Sequence, residues 1–117
     1  MLTVHVYDRC DTCRKALRWL DERGVAYRTK PIRETPPSPA ELQRMLKAQG
    51  GDLRKLFNTS GVDYRAQGLA ARLPTLAPAE AIALLAGNGN LVKRPFALSP
   101  DIALIGFKPE AWAAAFA

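Results

Sequence analysis

The sequence predicts an α/β fold in which a βαβ half and a ββα half share one mixed sheet, with a helical insertion over residues 38–87 between them. Three observations predict it. Leu2 to Tyr7 alternates with period two, the run from Thr12 to Leu20 changes to three- and four-residue spacing, and Val25 to Lys30 returns to extended character. The middle of the chain shows helical periodicity cut by proline and glycine. Near the end, two short apolar runs flank a Ser99-Pro100-Asp101 turn and lead into another helix.

In the first strand Leu2, Val4 and Val6 alternate with Thr3, His5 and Tyr7. The first helix places Cys13, Ala16, Leu17 and Leu20 on one stripe, and Gly24 stops it because glycine accepts a left-handed conformation. Strand, helix and strand in so short a span form a right-handed crossover, which makes the two strands parallel. Pro36-Pro37-Ser38-Pro39 breaks the chain. Ser38 then supplies an N-cap, Pro39 a first helical residue and Glu41 a capping-box partner. The helix that follows runs through Leu42, Met45 and Leu46 to Gly50-Gly51, and residues 52–73 read as shorter helices. Pro78 opens a helix through Ile82 and Leu85 that Gly87-Asn88-Gly89-Asn90 ends. Lys93 to Leu98 and Ala103 to Phe107 read as an antiparallel hairpin, and Pro109 begins a last helix bearing Trp112 and Phe116.

At 117 residues the chain is one domain, 1–117, with enough length to bury a core. No stretch reaches the roughly 20 apolar residues that span a bilayer, and no basic-then-apolar leader opens it. The expectation is a cytoplasmic protein with no membrane contact, in a reducing compartment where a cysteine pair is catalytic or metal-binding more often than structural. Lysine and arginine outnumber aspartate and glutamate 17 to 11, a net charge of +6. The basic residues (Arg14, Lys15, Arg18, Arg23, Arg28, Lys30, Arg33) are scattered and not interleaved with aromatics, which argues against direct nucleic-acid binding.

The chemistry centres on Cys10-Asp11-Thr12-Cys13, a CxxC at the turn from the first strand to the first helix. Helix N-termini present unpaired N–H groups that favour negative charge, and the thiolate is the nucleophilic form of cysteine. The plain alternative is a pair of small buried residues. A zinc site needs four ligands, and one CxxC with His5 as the only histidine does not supply them, so no metal is expected within one chain, a site shared across a dimer being the alternative. The alternation of its neighbours makes His5 a sheet-face residue rather than a general base. Asn58-Thr59-Ser60-Gly61 is a turn by composition. It reads either as a loop closing on the thiols or as a helix stop with a new N-cap at Ser60. Trp19, Trp112 and Phe116 read as core anchors, and Tyr64 and Arg65 as packing the next helix.

The element order with CxxC after the first strand resembles the thioredoxin arrangement. Further motifs narrow the resemblance: Cys10-Asp-Thr-Cys13-Arg14-Lys15-Ala16 with Trp19-Leu20, Pro36-Pro37-Ser38-Pro39-Ala40-Glu41-Leu42, Leu56-Phe57-Asn58-Thr59-Ser60-Gly61-Val62-Asp63-Tyr64-Arg65, Lys93-Arg94-Pro95-Phe96 and Gly106-Phe107. Together, in this order and over essentially the whole chain, they resemble the ArsC/Spx/MgsR family, and most of all its uncharacterised members with Phe-Asn-Thr-Ser-Gly. The family joins glutaredoxin-coupled arsenate reductases to Spx-type transcription regulators.

The resemblance implies that Cys10 is the attacking thiolate, with its charge supported by Arg14, and that Cys13 is the resolving thiol. It implies a cis Pro95 opposite Cys10, with Arg94 aimed at an oxyanion or a carboxylate. The alternative for that segment is a trans proline opening an edge strand. Of the three arginines that hold the anion in the arsenate-reducing branch, this chain keeps Arg94 and has Asn58 and Lys108 at the other two positions. The implied function is an arsenate reductase-like thiol–disulfide oxidoreductase. It acts on a small oxyanion or a disulfide, binds no resident cofactor, and takes glutathione, glutaredoxin or thioredoxin as reductant. The second reading is a redox-sensing regulator that binds the RNA polymerase α subunit.

Overall fold

The computed structural model describes all residues from Met1 to Ala117. Strand β1 (Leu2–Val6), helix α1 (Asp11–Glu22) and strand β2 (Tyr27–Pro31) form the first half. Helices α2 (Pro39–Ala48), α3 (Val62–Ala66), α4 (Leu69–Arg72) and α5 (Pro78–Gly87) follow, with 3-10 turns at Leu53–Leu56, Leu73–Thr75 and Gly89–Leu91. Strands β3 (Phe96–Leu98) and β4 (Ala103–Ile105) and helix α6 (Pro109–Ala115) complete the chain. The sheet order is β2-β1-β3-β4, with β1 parallel to β2 and antiparallel to β3, and β3 antiparallel to β4. This is the mixed α/β, thioredoxin-like architecture that the period changes predict.

Period-two alternation divides the core between the two faces of the sheet. Leu2 and Val4 of β1 and Ala97 of β3 pack with Ala16, Leu20 and Trp112 beneath α1 and α6. Phe96 and Leu98 face the other way, into the helical insertion with Leu42, Met45, Phe57, Tyr64 and Leu85. The Trp112 indole N–H, itself buried, donates to the Gly106 carbonyl at 3.0 Å. Trp19 and Phe116 are only partly buried and lean on Trp112, so Trp112 is the one anchor of the three that is sealed.

Several boundaries differ from the sequence expectation, β4 for example ending at Ile105 rather than Phe107, and two of the differences have a clear hydrogen-bonding reason. β2 starts at Tyr27 rather than Val25, because the Val25 and Gly24 N–H groups cap α1 through the Leu20 and Asp21 carbonyls, with Gly24 at φ +66°. β3 starts at Phe96 rather than Lys93. Residues 91–93 pair with 56–58 instead, through Asn58 N–H to the Leu91 carbonyl (2.7 Å) and Lys93 N–H to the Leu56 carbonyl (2.8 Å). That bridge holds the Asn58 loop beside Arg94.

His5 lies on the insertion-facing side of β1, 1% exposed, its ring meeting Phe96 edge-on at 5.7 Å. Neither ring nitrogen has a hydrogen-bond partner. Burial lowers its pKa below 6.5, Glu41 opposes that shift and Lys30 adds to it. A histidine with a depressed native pKa binds its proton later than in the unfolded chain, so stability is lost as pH falls below about 6.5. As His5 is the only histidine, the urea midpoint is expected to be lower at pH 5.5 than at pH 7.5, and the gap to shrink in His5→Leu. An equal gap in the variant would contradict this.

Candidate functional site

The turn after β1 delivers Cys10 to the amino end of α1. Its N–H donates to the Tyr7 carbonyl at 3.1 Å, and its backbone is extended (φ −105°, ψ 112°), as an N-cap requires. The sulfur takes the place usually filled by a serine or aspartate oxygen. Cys10 Sγ accepts the Cys13 N–H at 3.2 Å, and the Cys10 carbonyl accepts the Arg14 N–H. Cys10 is partly exposed, whereas Cys13, one turn further in, is 1% exposed on the Ala16–Leu20 stripe. Both are free thiols. Burial first, and a hydrogen bond to the Cys10 sulfur second, push the Cys13 thiol up to about 12. The pair is therefore asymmetric, with one sulfur facing out and one protonated thiol sealed behind it.

Cys10 and Thr12 open onto a cleft of about 410 Å³. Its other walls are the Phe57–Ser60 loop, Lys93-Arg94 and the segment from Ile105 to Lys108. Gly106 turns that last segment inward at φ +67°, and its N–H donates to the Pro95 carbonyl at 2.8 Å. The Lys93 stem crosses Gly106 so closely that a Cβ there would lie 2.9 Å from Lys93 Cε. The Arg94–Pro95 bond is cis. Three cations, Lys93, Arg94 and Lys108, line the cleft, and no carboxylate does. Such a lining makes the space next to Cys10 electrostatically favourable for an anion.

Of the residues singled out from sequence, Cys10, Asn58 and Arg94 meet in this cleft, Pro95 is buried next to Arg94 without lining it, and Cys13 lies one turn of α1 beyond Cys10. Arg14 does not join them. Its guanidinium pairs with Asp11 at 3.1 Å and donates to the Asp8 carbonyl, on the side of α1 that lines a different hollow with Cys13. The N-cap expected at Ser60 is at Gly61, without a side-chain bond, which leaves Thr59 and Ser60 to line the cleft. Tyr64 is buried against Phe57, while Arg65 is exposed and donates to the Ser60 carbonyl.

Sequence reasoning passed over Lys93 and Tyr7. Lys93 stands next to Arg94 in the Lys-Arg-Pro motif, which was its available signal. The Tyr7 ring carries the Arg94 guanidinium 4.8 Å from its centre, and nothing local foretells a contact between residues so far apart in the chain. No group of three histidine, cysteine or acidic side chains is placed to hold a metal ion, and no helix is long and apolar enough to cross a membrane.

Comparison with known proteins places this geometry among relatives. The model of the ArsC family matches residues 5–115. The uncharacterized protein YusI of Bacillus subtilis is 41% identical, over 93% of this chain and 92% of its own. A solved structure described as a possible arsenate reductase from Streptococcus mutans UA159 superposes with a TM-score of 0.88 at 38% identity, covering 97% of this chain and 98% of that one. The global transcriptional regulator Spx of Listeria innocua is 24% identical over 94% of this chain and 82% of its own.

Proposed function

The chain belongs to the ArsC family, and from that premise we propose that it is a thiol–disulfide oxidoreductase for an anionic substrate, with Cys10 as nucleophile and Cys13 as resolving thiol. One observation carries the reading: an outward-facing sulfur at a helix N-cap, in a cleft with three cations and no carboxylate, backed by a sealed second thiol. For a disulfide R–S–S–R, the Cys10 thiolate attacks one sulfur. A Cys10–S–S–R bond forms, the substrate S–S bond breaks, and R–S⁻ leaves and takes a proton from solvent. The Cys13 sulfur then attacks Cys10 Sγ while its proton passes to the departing substrate sulfur. The second R–SH is released, and a Cys10–Cys13 disulfide remains. Two electrons have passed from the thiol pair to the substrate. Two equivalents of an external thiol such as glutathione, oxidised to its own disulfide, or a glutaredoxin or thioredoxin dithiol, return them.

Lys93, Arg94 and Lys108 neutralise the substrate's charge, and Asn58 offers its amide to it. An oxyanion in the same cleft would meet one planar guanidinium and two point-charge ammonium groups in place of three guanidiniums. A disulfide-bonded small thiol therefore fits better than a tetrahedral oxyanion. The test is steady-state reduction of a small anionic disulfide by the full chain with a recycling thiol. Cys10-dependent turnover is expected. Failure of the wild-type protein to reduce the disulfide, or turnover that survives loss of the Cys10 sulfur, would overturn the reading.

A further inference from the structure

The loop that brings Asn58, Thr59 and Ser60 to the Cys10 cleft is lightly fastened within itself. Its own bonds are a turn, Gly61 N–H to the Asn58 carbonyl at 3.0 Å, and the exposed Arg65 guanidinium on the Ser60 carbonyl at 3.3 Å. Helix α3 behind it is five residues long, and its N-cap Gly61 has no side chain to give. The loop is held instead from residues 88–93. At its near end Asn58 N–H donates to the Leu91 carbonyl at 2.7 Å and Lys93 N–H to the Leu56 carbonyl at 2.8 Å. Beyond its far end the fastening is a side chain. Asp63 Oδ2 accepts the Asn88 and Asn90 amides at 3.0 and 3.3 Å.

The Asn88–Asn90 turn is shaped for this contact. Asn88 Oδ1 accepts the Asn90 N–H at 3.0 Å, and both amide groups converge on one carboxylate oxygen. Gly89 between them lies against the Ile32 carbonyl, just past the end of β2. The turn is thus seated on the sheet, and Asp63 ties α3 to the turn. Hydrogen bonds to a charged acceptor are stronger than neutral ones. Asp63 does not line the Cys10 cleft. It shares a neighbouring hollow with Arg33 and Arg94 and makes an ion pair with neither. Its influence on the cleft therefore passes either through the loop or through its charge.

Resting on the oxidoreductase reading above, we infer that Asp63 is a positioning residue. By stapling α3 to the Asn88–Asn90 turn, it sets Asn58, Thr59 and Ser60 against Lys93 and Arg94 at the spacing that grips the anionic substrate. The two routes differ in sign. Through charge alone, removing a carboxylate near Arg94 makes the cleft more favourable for an anion and lowers KM. Through the loop, removing it loosens one wall of the cleft and raises KM. Cys10 itself is capped from α1 and keeps its reactivity in either case.

The test follows reduction of 3,3′-dithiodipropionate by the full chain. Asp63→Ala is expected to raise KM about fivefold, the scale of one lost hydrogen bond, with little change in kcat. The rate of Cys10 alkylation by iodoacetamide is expected to stay the same. Asp63→Asn keeps an oxygen that accepts the amides, and its KM is expected to be at or below the wild-type value. Asn90→Asp sets a second carboxylate against Asp63 and is expected to raise KM, whereas the exchanged pair Asp63→Asn with Asn90→Asp is expected to restore it. Hydrogen exchange of residues 57–61 is expected to quicken in Asp63→Ala and Asn90→Asp, and not in Asp63→Asn. A lower KM in both Asp63 variants, an equal rise in both, or unchanged exchange of the loop in Asp63→Ala and Asn90→Asp would overturn the staple. Absence of wild-type turnover would instead overturn the oxidoreductase reading, and the exchange rates would still decide the staple.

Discussion

Replacing Cys10 by serine is expected to abolish turnover while leaving the fold intact. Serine is among the best N-cap residues, and its hydroxyl oxygen can accept the Cys13 N–H as the Cys10 sulfur does at 3.2 Å. The helix start therefore survives, and the melting temperature is expected to equal or exceed that of the parent. What disappears is the sulfur. A serine hydroxyl does not ionise in the accessible pH range and cannot form the mixed disulfide, so the first step has no substitute. The loss expected is roughly three orders of magnitude or more, the scale seen when a covalent nucleophile is removed. Cys13 cannot take over, because it is buried and its thiol is pushed up to about 12. Steady-state reduction of a small anionic disulfide, with thermal unfolding as the control, checks both halves. Retained turnover, or lost turnover accompanied by unfolding, would count against the assignment.

The largest stability effect is expected at Gly89. A Cβ built there lies 1.8 Å from the Ile32 carbonyl oxygen and 3.0 Å from Arg33 Cα. Both are backbone atoms, so no side chain can swing aside. Gly89→Ala must push the Gly89–Leu91 turn away from the end of β2, at a cost of about 3 kcal/mol. The same approach brings Asn90 and Arg33 into one cleft wall. Gly87→Ala is the control two residues away. A Cβ there has nothing within 4 Å, and the change is expected to be neutral or mildly stabilising. Chemical denaturation of the two variants decides it. Equal stabilities would mean that the two segments are not packed as described.

The elements that sequence specified well are those with local signals. Period two over Leu2 to Tyr7, three- and four-residue spacing over Cys13 to Leu20, and the Ser38-Pro39…Glu41 cap each announce structure within a few residues. The capping box is present, with Glu41 accepting the Ser38 N–H and Ser38 accepting the Glu41 N–H. What was not legible depends on residues distant in sequence. The start of β3 is decided by the pairing of 91–93 with 56–58, a contact across the helical insertion that no window reveals. The position of Cys10 at the N-cap followed from local pattern, but the lysines around it came together only through Gly106 and the loop at Asn58. Arg14, next to Cys13 in sequence, proved a poor guide, because helix geometry turns it toward Asp11 and away from the cleft. The family motifs identified Asn58 and Arg94 as neighbours of the thiols, which residue spacing alone did not.

The central claim is that one sulfur faces out at the head of α1 and the other is a protonated thiol sealed beneath it. Time-resolved alkylation of the native, reduced protein with iodoacetamide, read by peptide mass spectrometry, tests this most directly. Cys10 is expected to be modified first and nearly completely before Cys13 reacts, with Cys13 labelled only after denaturation. Labelling of Cys13 before Cys10, or of both at equal rates in the folded chain, would contradict the account.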